Sequence, residues 1–405
     1  MNVLFFSPGF PAEMPYFARG LKTQGARVFG IGDQPVESLP DVAREALDHY
    51  IPVRLMWQEE AVLAAIEPIH QRYPFQRILC LWEPGMLLAA RLRERLGVPG
   101  LNHAQTVPFR DKEVMKKVLA EAGIRVPRNQ RAASVDAIWQ ASRDIGFPLV
   151  VKPIAGAGSA DTYRVDSADH LAEIIPKLNH VPEVSVEEFI DGKEYTYDTI
   201  CANGRILYDN VAWYRPNPII GRSEEWISPQ TLTLRDMDQP HIQAGIQLGQ
   251  AVLKALNYQT GFTHMEWFYS TSGEAVFGEI GARPPGGRSV ELMNYGCDID
   301  VFSGWAEAEI KGSFSQKIER KYNAAVVFKR AQGQGRIVDI RGLDDIRREM
   351  GSHIVCENLL PLGAPRRNWK QTLISDGYLI VRHPDLQRCM DMADRIGSHL
   401  QLYAR

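Results

Sequence analysis

Two short stretches, each with one glutamate in a β-prone setting, constrain this chain more than any other part of it. The first is Thr263-His264-Met265-Glu266-Trp267-Phe268. The second follows the run Glu274–Phe277 and reads Gly278-Glu279-Ile280-Gly281-Ala282-Arg283-Pro284-Pro285-Gly286-Gly287. Neighbouring strands that each bear an acid can hold Mg²⁺, a hard cation that takes oxygen ligands and shares them with phosphates. Arg283, just beyond the second acid, has the planar fork that suits phosphate oxygens. A hairpin with solvated acids and a glycine-rich turn is the plainer alternative for the same residues.

The remaining composition narrows the class. A chain of 405 residues is long enough for about two to three domains with buried cores. A net charge of −3 gives no electrostatic footprint for nucleic acid, and Arg366-Arg367 is too short a basic cluster to change that. Five scattered cysteines, with no paired metal-type spacing, are expected as free thiols in a reducing compartment. The apolar start, Met1-Asn2-Val3-Leu4-Phe5-Phe6, lacks the basic flank of a signal peptide, and no run has membrane-spanning length. A cytoplasmic protein is the expectation, with no membrane partner.

The opening alternates strands and helices. Val3–Phe6, Val28–Ile31 and Arg77–Trp82 are apolar runs of buried parallel-strand type, with helical spacing over Tyr16–Gly25 and Met86–Leu96. This predicts a doubly wound parallel sheet. No G-x-G-x-x-G follows the first strand, so a dinucleotide site is not supported. A second unit begins near Thr106. Asp111-Lys112 opens a helix over Glu113–Ala122, and Ile145–Val151 leads into Lys152 and the loop Ala155-Gly156-Ala157-Gly158-Ser159-Ala160. Strands are expected over Val184–Ile190 and Tyr195–Cys201, and a helix over His241–Leu256. Trp213–Thr231, with three prolines, reads as a large loop. Beyond Ser313, strands alternate with glycine turns until a final helix, Leu386–Leu400.

Taken in order, these signals resemble the ATP-grasp superfamily, strongly over residues 106–310. Lys112 stands where that family has its first phosphate lysine, and Lys152 matches the second. Gly156, Gly158 and Ser159 fall in the loop that closes over phosphates. Glu187, Glu188 and Ile190 resemble the adenine hinge, Glu194 the ribose-binding acid, and Glu266 and Glu279 the Mg²⁺ ligands. Gly281 stands where many members carry a metal-binding Asn, which puts the metal count in doubt. The resemblance implies an α/β (α+β) fold in three parts. These are an amino-terminal Rossmann-like parallel sheet (1–105), a central nucleotide-binding domain (106–312) and a small carboxy-terminal α+β unit (313–405). The central part would divide into a lid at about 106–190 and a core at about 191–312.

Elementary chemistry agrees with each assignment. Triphosphate charge calls for cations at one end of a cleft, here Lys112, Lys152 and Arg283. Glycines let backbone N–H groups approach phosphate oxygens. A carboxylate such as Glu194 accepts hydrogen bonds from ribose hydroxyls. Each residue also has a plainer reading: Lys112 beside Lys116 and Lys117 as a solvated face, Glu187 and Glu188 as a strand end, and His264 as a core or supporting histidine.

The resemblance further implies an ADP-forming ligase that uses ATP and Mg²⁺, with Mn²⁺ as a substitute, to join a carboxylate to an amine through an acylphosphate. Amino acids or similar small molecules would be the substrates. Arg283 would stabilise the transferring group, and Arg288 would anchor a substrate carboxylate or a second phosphate contact. Glu83, directly after a parallel strand, is placed to take an acceptor amine or simply to start a helix. Two other readings stay open: a bicarbonate-activating enzyme of carboxylase or carbamoyl-phosphate type, and a nucleotide-binding regulator without turnover. A homodimer is the base-rate expectation.

Overall fold

The computed structural model describes residues 1–154, 161–372 and 374–405. The first four strands, β1 (Asn2–Phe6), β2 (Arg27–Gly32), β3 (His49–Pro52) and β4 (Arg77–Leu79), form a parallel sheet in the order β3-β2-β1-β4. Val3, Leu4, Phe5 and Phe6 are all fully or almost fully buried, as a strand covered on both faces requires. The helix Met14–Thr23 opens two residues earlier than its spacing predicts, with Pro15 in its first turn. It packs Phe17 against Phe302 and Trp305, so the first unit shares a core with the helix Val301–Lys311.

A second sheet joins β5 (Asn129–Ala132), β6 (Leu149–Pro153), β7 (Tyr163–Val165) and β8 (Val184–Glu188) in the order β5-β8-β6-β7, all antiparallel. Its apolar face, Leu149, Val151, Val165 and Val186, closes under the helices Val135–Ile145 and Ala168–Ile174. Alternation puts Lys152 on the opposite face of β6.

The third sheet is the largest. It contains β9 (Gly192–Ala202), β10 (Arg205–Arg215), β11 (Gln230–Thr233), β12 (Gly261–Ser270), β13 (Ala275–Gly281) and β14 (Asn323–Phe328). A small sheet of β15 (Gln332–Gly333) and β16 (Ile337–Arg341) is completed later by the last strand. The chain then returns to the large sheet with β17 (Ile354–Leu359) and β18 (Gly377–His383), and ends with β19 (Gln401–Ala404) between β15 and β16. The large sheet thus runs β13-β12-β9-β10-β11-β14-β18-β17. It continues across residue 312, because β14, β17 and β18 hydrogen-bond into the same ladder as the acid-bearing strands.

One expectation fails. Trp213–Thr231 is not a single large loop: β10 reaches Arg215, a short helix covers Pro218–Ser223, and β11 starts at Gln230. Three prolines masked this arrangement, since each sits outside a paired strand position and breaks the periodicity a strand would show. All five cysteines are free, as expected.

Candidate active site

The site is built first from strand register. Glu266 on β12 lies directly across from Glu279 on β13. Alternation sends His264 and Glu266 to one face of β12, while Met265 and Trp267 are buried in the core on the other. A bulge follows at once, so that Trp267 pairs with Phe277 and Gly278 is the additional residue. A Cβ at Gly278 would come within 2.8 Å of the Glu266 carbonyl oxygen, so only glycine fits without displacing the strand that carries the acid. On β9, next along the sheet, Thr196 pairs with Glu266 and Glu194 with Phe268. Three carboxylates, Glu194, Glu266 and Glu279, therefore line one cleft.

The cations reach this wall from two other elements. Asp111 caps the helix Lys112–Glu121, accepting from the backbone N–H groups of Glu113 and Val114 at 3.0 Å. That fixes Lys112 at the first helical position, with its Nζ 3.4 Å from Glu279 Oε2. Lys152, on β6, has its Nζ 3.0 Å from Glu187 Oε2 and 3.7 Å from Glu279 Oε2. Burial disfavours its charge, but Glu187 and Glu279 outweigh that and hold it well above the ordinary lysine range.

One member of this network is not predicted. Lys116, one turn beyond Lys112, is almost completely buried and forms an ion pair with Glu187. Burial pushes its ammonium down to about 8, with Glu187 opposing the fall. Glu187 itself drops to about 2, because Lys116 and Lys152 together outweigh its desolvation. Ser185 also donates to it at 2.8 Å. The carboxylate of Glu187 is thus a counterion for two lysines, and its contribution to an adenine hinge would be through the backbone. Spacing carried the missing signal: residues four apart share a helix face, so a buried Lys112 implied an inward Lys116.

The other hinge residues flank the same cleft. The Glu188 carboxylate turns away, accepting from Arg125 Nη2 and the Arg128 N–H, both at 3.0 Å. Ile190, Val150, Ile219 and Phe268 give this end of the cleft an apolar lining, opposite the charged end. Glu194 is buried in between. Desolvation, with the Glu266 carboxylate next, raises its carboxyl well above the usual range. Gly156, Gly158 and Ser159 lie outside the described residues.

The two arginines part company. Arg283 lines a small cavity that adjoins the cleft and shares Lys112 and Glu279 with it, and its Nε and Nη2 both contact Glu83 Oε1 at 2.7 Å. Arg110 clasps the other oxygen of Glu83. Desolvation opposes the charge on Glu83, yet Arg283 and Arg110 hold its carboxyl below the ordinary value. Glu83 is therefore already engaged by two guanidinium groups and anchors Arg283. Gly281 adjoins this pair: a Cβ there would lie 3.4 Å from both Arg283 Cγ and Glu83 Oε1, an ordinary contact distance, so these neighbours do not by themselves require glycine.

Arg288 is not brought to the cluster. It precedes the helix Ser289–Cys297 at φ +63°, its Nη1 donates to Glu291 at 2.7 Å, and its guanidinium lies 5.2 Å from the Tyr378 ring centre. An exposed arginine ready for a substrate does not describe it.

His264 is buried, with Nδ1 2.6 Å from Asp198 Oδ1 and Nε2 3.5 Å from Glu266 Oε1. Burial works against the imidazolium, but the Asp198 carboxylate prevails and lifts its pKa to about 9. Tyr214 donates to the same Glu266 oxygen at 3.3 Å. A second cavity continues past His264, Glu266 and Arg283 toward Pro229, Phe328 and Trp369.

Among the described residues, no group of three or more His, Cys, Asp or Glu side chains is gathered as a metal cluster. The fit to Mg²⁺ rests on two groups. Glu266 and Glu279 face each other, all their donors are oxygens, and both side chains are about one quarter open to the cleft, at 24% and 26%. A hard cation that completes its shell with water and phosphate oxygens suits such a pair.

Residues 22–100 match the ATP-grasp N-terminal domain and residues 109–211 the ATP-grasp domain. With the sheet architecture described above, these matches identify an ATP-grasp fold. Over its whole length the chain superposes on the L-amino acid ligase from Bacillus licheniformis with a TM-score of 0.79, at 21% identity, covering 98% of that chain. In sequence, it is 27% identical over 236 residues to the L-arginine-specific L-amino acid ligase of Bacillus subtilis, covering 56% of each protein. A shorter stretch of 116 residues is 32% identical to D-alanine--D-alanine ligase A of Clostridium perfringens, covering 28% of this chain and 38% of the relative. The chain spans about half the length of the curated relatives it matches.

Proposed function

We propose that this chain is an ATP- and Mg²⁺-dependent ligase that joins a small-molecule carboxylate to an amine, forming ADP. The observation that carries this reading is the convergence of Lys112, Lys152, Glu266 and Glu279 at one end of a cleft whose other end is apolar. The base of the nucleotide would lie against Val150, Ile190, Ile219 and Phe268. Glu194, whose carboxyl is raised by burial and by the Glu266 carboxylate, is placed to hydrogen-bond ribose hydroxyls.

Chemistry of this kind needs positioning and charge neutralisation more than a covalent nucleophile. A substrate carboxylate oxygen attacks the γ-phosphorus and ADP leaves. The amine nitrogen then attacks the acyl carbon, loses a proton, and phosphate departs with the bonding electrons. Lys112 and Lys152 balance phosphate charge through both steps. Arg283, held by Glu83, supplies a fixed guanidinium beside the transferring group. When bound, Mg²⁺ on Glu266 and Glu279 would supply further charge neutralisation, a role Mn²⁺ can also fill. A first unit ending near residue 105 and a homodimeric state belong to the same proposal; a boundary at residue 312 does not, because the large sheet runs across it.

ADP release measured with Mg-ATP and pooled amino acids tests the reading. Release that depends on added amine and carboxylate supports it. Release that requires bicarbonate instead would favour the bicarbonate-activating alternative. Tight ATP binding with no release under either condition would make the protein a regulator.

A further inference from the structure

The second cavity is well defined in size and chemistry. It opens beside Glu266, Glu279 and Arg283 and ends among Pro229, Phe328 and Trp369, with a volume of about 140 Å³. An apolar cavity of about 150 Å³ is known to hold one benzene molecule. The whole cavity, mouth included, is thus close to the volume that a single six-membered ring fills.

Backbone geometry keeps this room open. Gly286 and Gly287 form one side of the cavity, and Gly287 has φ +62°, where L side chains are strained. A Cβ at 287 would have Phe328 Cζ as its near neighbour, at 3.7 Å. Any larger side chain would have to occupy the space next to that ring. Pro216, Pro218 and Pro229 also line the cavity, with Gln230, Thr231 and Thr372 beside them.

The charges in the cavity are unevenly distributed. Glu266 and Glu279 stand at the nucleotide end, and Arg283 there is bound to Glu83. At the far end, Arg330 lies 4.4 Å from the Trp369 ring centre and donates to the Glu224 carbonyl at 2.8 Å. Its guanidinium thus braces the indole that forms the wall. A planar apolar group would complete the packing between Trp369 and Phe328. A second carboxylate on the substrate would have to desolvate against these rings.

We propose that the carboxylate substrate of this site carries an aromatic side chain, which seats between Phe328, Trp369 and Pro229 against Gly287 while its carboxylate lies by Arg283. This rests on the ligase reading and specifies its substrate class.

Hydroxylamine tests it, because this amine traps any acylphosphate as a hydroxamate without needing the natural acceptor. The enzyme, Mg-ATP and hydroxylamine are incubated with phenylalanine, alanine or glutamate, and hydroxamate and ADP are both measured. Phenylalanine is expected to exceed alanine in kcat/KM by at least about tenfold, the scale on which a well-filled apolar pocket discriminates. In Trp369→Ala, with Tm checked to confirm folding, the phenylalanine-to-alanine ratio should fall by about tenfold. Equal use of alanine, a preference for glutamate, or an unchanged ratio in the variant overturns the aromatic assignment and leaves the ligase reading standing. Hydroxamate and ADP absent with every acid would overturn both.

Discussion

Lys112, Lys116 and Lys152 surround two glutamates, and each lysine does a different job. Lys116 is sequestered and neutralises Glu187, which leaves Lys152 free to span Glu187 and Glu279. Replacing Lys152 by alanine leaves Glu187 still paired, so the protein should fold. Calorimetry on Lys152→Ala should then show the ATP Kd raised by roughly 10- to 100-fold, the loss expected for one charge-assisted contact; an unchanged Kd would remove this lysine from the phosphate site. Glu279→Ala should lower turnover by more than the roughly 10–100-fold that loss of an outer-shell metal partner costs, with Tm changed by only a few degrees. Parental turnover in that variant would show the metal assignment to be wrong. Both residues are legible in the sequence because each ends a recognisable strand beside glycines. Lys116 is legible only through its four-residue spacing from Lys112, and the place of Arg288 is not. Side-chain burial depends on which helix face meets the sheet, and Arg288 is drawn off both by Glu291, three residues on, and by Tyr378, which is far away in the sequence.

Among the elements, the helix Lys112–Glu121 matters most, since its start positions a cation. Its cap, Asp111, also pairs with Arg131, an exposed contact of small worth. Asp111→Ala should cost about 0.5–2 kcal/mol through the lost cap, seen as a Tm lower by a few degrees. It should also weaken ATP binding more than an equally destabilising change elsewhere; a drop in Tm with unaltered Kd would separate the cap from Lys112. The parallel sheet, the β12–β13 pair and this helix could all be anticipated, because hydrophobic period and capping residues are local signals. The order of the eight-stranded sheet could not. Pairing of β11 with β14, and of β14 with β18, joins segments with no local signature of one another. Prolines concealed the ends of β10 and β11.

At the scale of the whole molecule, one buried acid reports on the seam between the first unit and the large sheet. Glu309 lies in a cavity there with Arg77, Arg93 and Tyr258, and burial pushes its carboxyl up to about 7 against the pull of both arginines. An acid whose folded pKa exceeds its unfolded value gives stability that is complete below about 4.5 and is lost as pH rises through about 7. Above that range the cost is on the order of 3 kcal/mol. Glu309→Gln should therefore match the parent in Tm near pH 4.5 and exceed it at pH 8. A constant difference between the two proteins across this window would mean that Glu309 is not titrating in the fold.

The clasp of Glu83 on Arg283 has a consequence for how such molecules can be recombined. Its two halves come from opposite ends of the architecture, so an amino-terminal segment borrowed from a relative would have to bring its own acid to that spot. A chimaera without one would assemble around an arginine with nothing to aim it, and would be expected to bind nucleotide yet catalyse poorly.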